Sequence, residues 1–428
     1  MIINPFTILF AFALLSIVMH RTFFLKPFAL LGLALASVYT MSDASEGMRL
    51  FELIVELVLF AVVLHEDDDI SITQTLFIGA SSLLLLESKS ILSFIISFES
   101  LSLISVILVS QIKTKDEAEG AVKMFIAGAM ATGILFLGLS FYVMGGGILL
   151  EPLKAETSTF ETIGIFIMLM ALFYKLTIVP FHGWAVDSYA KVSHSHAAVL
   201  SGVAKTVVAL ATFKIFAPFL SMHLEFATPL IVVLALITMT LGNFLALFRE
   251  NLAQMLSYSS IAHAGYIALA FVAVKSEYAK DGILYISIAY IFMQSAAFLV
   301  LDTLKKSYGV KTLKELSGFS KQNPLLAALF SIQLLSLAGI PLLAGFLGKA
   351  ILFYAVVDAG LWWVVLIALL NSALSVGYYA WVIKSIYFDK FEAKEVHFAE
   401  VKLPLIAQLV LVSGTLFFGI FAGVVFSV

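Results

Sequence analysis

The sequence predicts an all-α integral membrane protein of about fourteen transmembrane helices, with two inverted five-helix repeats that each contain a broken helix. Three observations lead there. Of 428 residues, 61% are apolar and only 12% charged, with mean hydropathy +1.06, whereas soluble domains carry about 25% charged residues. The apolar residues fall in stretches of about 20, the length a helix needs to cross the hydrocarbon core. Pro180 and Pro341 then interrupt two of those stretches from within.

The spans run in order along the chain. Within residues 1–69 lie spans at 2–19, 26–43 and 49–65. The first has no basic n-region or cleavage pattern, which predicts an uncleaved helix rather than a signal peptide. The third is short and carries Glu52 and Glu56 near its start. A first unit within 70–218 comprises 70–86, 90–112, 120–145, 161–182 and 194–218. A second within 227–387 comprises 227–248, 252–274, 280–304, 323–355 and 358–387, and a last span covers 401–427 of 401–428. The stretch 323–355 is too long for one straight span and is interrupted at Gly339-Ile-Pro341. Five spans per unit is an odd number, so the second unit runs upside down relative to the first. In each unit the fourth span is then the proline-interrupted one. Of 25 lysines and arginines, 16 fall after odd-numbered spans and six on the other side. That bias predicts cytoplasmic odd-numbered loops and both termini outside.

Four ionisable residues stand alone in apolar stretches: Glu99, Lys175, Lys205 and Lys349. A charge at the bilayer centre costs roughly 2.5–3.5 kcal/mol, so each is a functional-site hypothesis. Lys175 and Lys349 lie near the prolines, where a break frees backbone groups that water or a side chain must satisfy. Glu99 is the deep carboxylate of the first unit and the candidate partner of Lys175. Burial disfavours a charged lysine and a carboxylate restores it, so a pair that closes and opens can bind and release a proton. His263 sits mid-span as a candidate relay. A plainer reading stays open, in which the lysines snorkel or form static pairs and His263 is a hydrogen-bonded core residue. His194 and His196, at a helix start, could line a water mouth or serve as a cap. His182, next to Trp184, reads as interfacial, Lys214 and Lys384 as snorkelling, and His65-Glu-Asp-Asp-Asp69 as a solvated acidic loop. A net charge of −3 argues against a nucleic-acid partner, and the absence of cysteine rules out disulfides, thiol chemistry and iron–sulfur clusters. No histidine pair falls on facing spans with a spacing suited to haem.

Four segments carry a resemblance: Phe98-Glu-Ser-Leu-Ser-Leu-Ile-Ser-Val-Ile-Leu-Val109, Lys175-Leu-Thr-Ile-Val-Pro-Phe-His-Gly-Trp-Ala-Val-Asp-Ser-Tyr189, Met255-Leu-Ser-Tyr-Ser-Ser-Ile-Ala-His-Ala-Gly-Tyr266, and Leu316-Ser-Gly-Phe319 onward to Leu335-Ser-Leu-Ala-Gly-Ile-Pro-Leu-Leu-Ala-Gly-Phe-Leu-Gly-Lys349. Over roughly residues 75–390 the chain resembles the antiporter-like membrane subunits of respiratory complex I, membrane-bound hydrogenases and Mrp-type cation/proton antiporters. The terminal lysine, and Tyr290-Ile-Phe-Met-Gln-Ser295 without a histidine, are most similar to the N-type member. One departure is the eighth helix, which starts Ser193-His-Ser-His where the family has a Pro-x-Pro-Val-Ser-like segment.

The resemblance implies a proton-translocating subunit of a redox-driven complex in a prokaryotic cell membrane, one that carries no redox chemistry or cofactor itself. Glu99 and Lys175 would be the modulating pair, Lys205 and His263 the central relay, and Lys349 the exit-side lysine. The implied partners are further antiporter-like and small membrane subunits, peripheral redox subunits indirectly, the lipid bilayer, and H+ or Na+. A sodium/proton exchange subunit of an Mrp-type antiporter and a transport-inactive scaffold remain as alternatives.

Overall fold

The computed structural model describes residues 4–42, 47–111, 115–390, 402–421 and 423, and among these it is helical with no strand. Lys113 and Lys394, used in the charge count, lie outside the described residues. The first helices are α1 (Pro5–Val18), α2 (Leu25–Ser42) and α3 (Gly47–His65). Then come α4 (Asp69–Leu86), α5 (Ile91–Val109), α6 (Lys115–Met144), α7 (Thr159–Lys175), α8 (Gly183–Lys191), α9 (His194–Ala197) and α10 (Lys205–Met222). The remainder are α11 (Leu224–Leu247), α12 (Leu252–Ala268), α13 (Ala279–Tyr308), α14 (Pro324–Ala338), α15 (Ala344–Asp358), α16 (Trp362–Phe388) and α17 (Lys402–Ile420). Among the described residues, nine helical segments are long and apolar enough to cross a membrane, and three shorter helices are also apolar.

Helix ends follow local chemistry. Asn4, Ser90 and Ser158 start α1, α5 and α7 with reciprocal capping boxes, each satisfying backbone N–H groups that the first turn leaves without a carbonyl. Asp68 caps α4 through Ser71 N. Gly309 and Gly339 close α13 and α14 in the left-handed conformation, at φ of 65° and 88°, where a side chain is strained.

Burial sorts the helices into inner and outer sets. The apolar windows of the segment containing α10, of α12 and of α13 are 94%, 94% and 100% buried, against 22% for α6 and 33% for α16. Outer helices instead present large apolar side chains such as Phe125, Met130, Leu137, Leu366 and Trp381, a surface suited to lipid rather than water. Lys205 and His263 therefore sit on the most enclosed helices of the molecule.

Tight approach between α6 and α7 depends on two glycines. A Cβ added at Gly164 would fall 2.5 Å from the Gly138 carbonyl oxygen. Small residues let bilayer helices come this close, where dispersion does the holding. Gly164→Val should push the pair apart and destabilise the protein by about 1–3 kcal/mol, read as a lower melting temperature in detergent. Gly133, on α6 beside Gly138, meets nothing within 4 Å, so Gly133→Val is the control and should melt like the parent.

Candidate functional site

The first break places two of the lysines. α7 ends at Lys175, and Thr177 N and Ile178 N turn back to Tyr174 O and Phe173 O at 2.9 and 3.0 Å. Thr177 takes φ 62°, a costly conformation for a threonine, of the kind that collects at functional sites. Val179 N is satisfied by Thr238 Oγ1 of α11 at 3.0 Å. Lys175 is buried, and its Nζ has no hydrogen-bond partner among the described residues. Glu99 is half-buried on α5, and Thr132 Oγ1 of α6 stands 3.0 Å from both of its carboxylate oxygens. Glu99 and Lys175 form no ion pair in this structure. The expected partners face the same region but are held apart.

Lys205 is the hub. The eighth predicted span begins with α9, passes through a π-helical stretch at Ala198–Ala204 and continues as α10. Such stretches concentrate at functional sites, and this one begins just after Ser193-His-Ser-His, where the sequence departs from the family's proline-containing start. Lys205 Nζ donates to Thr177 Oγ1 at 2.9 Å, to Ser260 O at 3.0 Å and to Ser260 Oγ at 2.5 Å. Three donors meet three acceptors, so no ammonium hydrogen is left over. Tyr290 OH of α13 donates to the same Ser260 Oγ at 2.8 Å.

From Ser260 a row of polar side chains runs along one face of α12. Ser260, His263 and Tyr266 are spaced three apart, which puts them on neighbouring turns of one side. His263 Nδ1 lies 3.0 Å from Ser259 O, while its Nε2 has no partner among the described residues. The His263 ring is 5.2 Å from the Tyr290 ring and 5.6 Å from the Tyr266 ring, centroid to centroid. Lys349 Nζ in turn lies 5.1 Å from the Tyr266 ring centre.

Lys349 sits at the second break. Its Nζ donates to Leu337 O at 2.9 Å, Ala338 O at 3.3 Å and Ser372 Oγ of α16 at 3.0 Å. Leu337 and Ala338 are the last residues of α14, so the ammonium occupies carbonyls that the break orphaned, at the negative end of the helix. Lys214 does the same elsewhere, donating to Leu86 O at the end of α4 at 2.7 Å. At the surface, Lys191 pairs with Glu119 at 2.7 Å, and that hydrogen bond raises its pKa above the usual lysine value. Lys205 and Lys349, unlike Lys191, have no carboxylate within ion-pairing distance, so neither forms the static ion pair that was the alternative.

One expectation fails in part. Of His65-Glu-Asp-Asp-Asp69, Asp67 is exposed and Asp68 and Asp69 half-buried, but His65 and Glu66 are only 3% and 5% exposed, so the run is solvated at one end alone. The partners of His65 and Glu66 are distant in sequence, which is why local polarity misleads. His65 Nε2 lies 3.0 Å from Asp302 Oδ2 of α13, and Lys306 Nζ approaches the same oxygen at 2.8 Å. Ser195 Oγ donates to Glu66 Oε2 at 2.5 Å. His196, whose role was open, places Nε2 2.8 Å from Ser71 Oγ. Glu52 and Glu56 are also buried in α3, with Glu56 Oε1 accepting from Thr40 Oγ1 at 3.1 Å. Sequence reasoning gave no role to Ser260, Tyr290 or Thr177. Of these, only Ser260 left a signal, its spacing from His263. No cluster of three metal-ligating side chains suited to a metal occurs among the described residues.

Comparison with known proteins bears on what this row does. Residues 88–375 match the family described as NADH:quinone oxidoreductase/Mrp antiporter, TM. The chain is 33% identical over 367 residues to F(420)H(2) dehydrogenase subunit N of Methanosarcina mazei, covering 81% of this chain and 74% of that one. It is 35% identical over 312 residues to NADH-quinone oxidoreductase subunit N of Trichlorobacter lovleyi, covering 71% and 64% respectively. Its fold superposes with TM-score 0.86 on a chain of Thermus thermophilus respiratory complex I, at 24% identity, covering 99% of this chain and 98% of the other.

The buried pair of His65 and Asp302, capped from outside by Lys306, generates a stability prediction. Asp302→Ala leaves the buried His65 without its carboxylate partner, while the exposed Lys306 returns to solvent, and should destabilise the protein by about 1–3 kcal/mol. A detergent melting curve unchanged from the parent would contradict that.

Proposed function

This chain belongs to the NADH:quinone oxidoreductase/Mrp antiporter family of membrane subunits, and from that membership we propose that it is the proton-translocating subunit of a redox-driven respiratory complex in a prokaryotic cell membrane. Redox energy comes from partner subunits, among them further antiporter-like and small membrane subunits, while this chain moves the ion. In this reading fourteen helices cross the bilayer, 70–218 and 227–387 are inverted repeats, odd-numbered loops are cytoplasmic and both termini lie outside.

The observation that carries the reading is the row from Lys205 through Ser260, Tyr290, His263 and Tyr266 to Lys349, enclosed by the most buried helices. Each member is a lysine, histidine or hydroxyl, able to give a proton on one side and take one on the other. Glu99 and Lys175 modulate it. When a partner subunit drives Glu99 toward Lys175, the carboxylate favours the charged ammonium. When Glu99 withdraws to Thr132, as found here, the unpartnered Lys175 favours proton loss. Lys175 and Thr177 lie two residues apart at one break, and Thr177 holds Lys205, so movement there reaches the hub directly. Moving one charge against 100 mV costs about 2.3 kcal/mol, which corresponds to a change of about two pKa units.

The test uses the assembled complex in sealed vesicles, with proton pumping recorded during redox turnover. Lys205→Ala and Lys349→Ala should each lower pumping about tenfold or more while the complex still assembles. Undiminished pumping in both variants would favour a scaffold role. Pumping that requires sodium on the donor side would favour sodium/proton exchange.

A further inference from the structure

The network around Glu66 and His196 lies outside the row just described, and much of it lies outside the family match. His65, Glu66, Asp68 and Ser71 precede residues 88–375. They meet the start of the eighth predicted span and the end of α13 around a cavity of about 80 Å³, lined by Glu66, Asp68, Ser71, Glu117, His196 and Lys306 among others. A water in the liquid takes about 30 Å³, so two or three fit. Every wall comes from an odd-numbered loop or the helix end beside it, on the side where lysine and arginine concentrate.

We propose that this chamber is the uptake mouth of the path, a proton-loading site in which Asp68, Ser71 and His196 relay a proton from solvent to the buried start of the eighth span; the proposal rests on the reading of the path given above. Ser71 Oγ stands 2.8 Å from Asp68 Oδ2 and 2.8 Å from His196 Nε2. Its single hydrogen can point to either. Asp68 is half-buried at the rim and His196 is buried, so the hydroxyl bridges outside and inside. Hydronium protonates the Asp68 carboxylate and leaves as water. Asp68 then passes that hydrogen to Ser71 Oγ as Ser71 releases its own to an unprotonated His196 Nε2. The carboxylate is restored, the hydroxyl is unchanged, and the imidazole has become imidazolium. Lys205 lies nine residues farther on, about 13 Å along the axis.

The surrounding charges suit this task. Facing His196 are Glu66 and Asp68 from the α3–α4 junction, Glu117 from α6, and Asp302 with Lys306 from α13. Carboxylates outnumber the lysine, which favours a visiting proton. Lys306 already occupies Asp302 at 2.8 Å, and Ser195 saturates one Glu66 oxygen.

The experiment compares Ser71→Ala, Ser71→Thr and Lys205→Ala in the assembled complex in vesicles, measuring pumping per redox turnover across pH. With the bridge gone, supply limits where hydronium is scarce. Ser71→Ala should pump at least about fivefold slower near pH 8.5 and within about twofold of the parent near pH 6. Ser71→Thr, which keeps the hydroxyl, should match the parent. Asp68→Asn, which retains a good helix cap, should repeat the Ser71→Ala profile and stands in for it if that variant does not assemble. Parental pumping by both Ser71→Ala and Asp68→Asn at every pH, with Lys205→Ala inactive, would overturn the mouth and leave the path standing. A loss equal at all pH values and not restored by threonine would also overturn it, as a structural effect. Parental pumping by Lys205→Ala would instead overturn the path on which the mouth depends.

Discussion

A peptide group left without a hydrogen-bond partner inside a bilayer costs several kcal/mol, and that constraint shapes the centre of this protein. Two apolar helices stop within the bundle, at Lys175 and Ala338, and each stop exposes carbonyls that only protein or water can satisfy. At the second break, Lys349 answers by donating to Leu337 O and Ala338 O. At the first, the chain folds back on Tyr174 and Phe173 through a left-handed Thr177, whose hydroxyl is then free to hold Lys205. The breaks and the lysines are thus one solution: the break needs a donor, and an ammonium needs a wet or polar site in lipid surroundings.

Enclosure gives this solution its specificity. Lys205, Ser260, His263 and Tyr290 sit on helices that lipid does not touch, so their partners are each other. In a low-dielectric interior such contacts are strong when satisfied and costly when not. His263 Nε2 within the row and Lys175 Nζ beside it are left without a partner among the described residues, so the row is incomplete at His263. An incomplete polar row is what a transport path requires, since a fully satisfied one would hold its protons still.

Much of this was legible in the sequence. Periodicity and length placed helices on every predicted span, the prolines marked both breaks, and isolated charges singled out lysines that the structure buries. The roles proposed for them rest on chemistry rather than on contact, and the Glu99–Lys175 separation could not be read from either residue's neighbours. The failure at His65 and Glu66 is instructive. An acidic run beside a helix end looks like surface, but Asp302 and Ser195 lie 237 and 129 residues from their partners His65 and Glu66, and no local pattern predicts such a meeting. Hydroxyl residues were missed for another reason: serine and threonine are common in bilayer helices, so one that bridges two ionisable groups carries no compositional mark.

The π-helical stretch before Lys205 has a consequence for comparing this chain with its relatives. Such a turn holds about one residue more than an α-turn, and one residue corresponds to about 100° around the axis. His196 and Lys205 lie on either side of it. Two homologues with identical residues at both positions, one with the wide turn and one without, would aim those side chains at different walls of the bundle. Sequence identity across this segment therefore does not by itself guarantee that the same groups face each other.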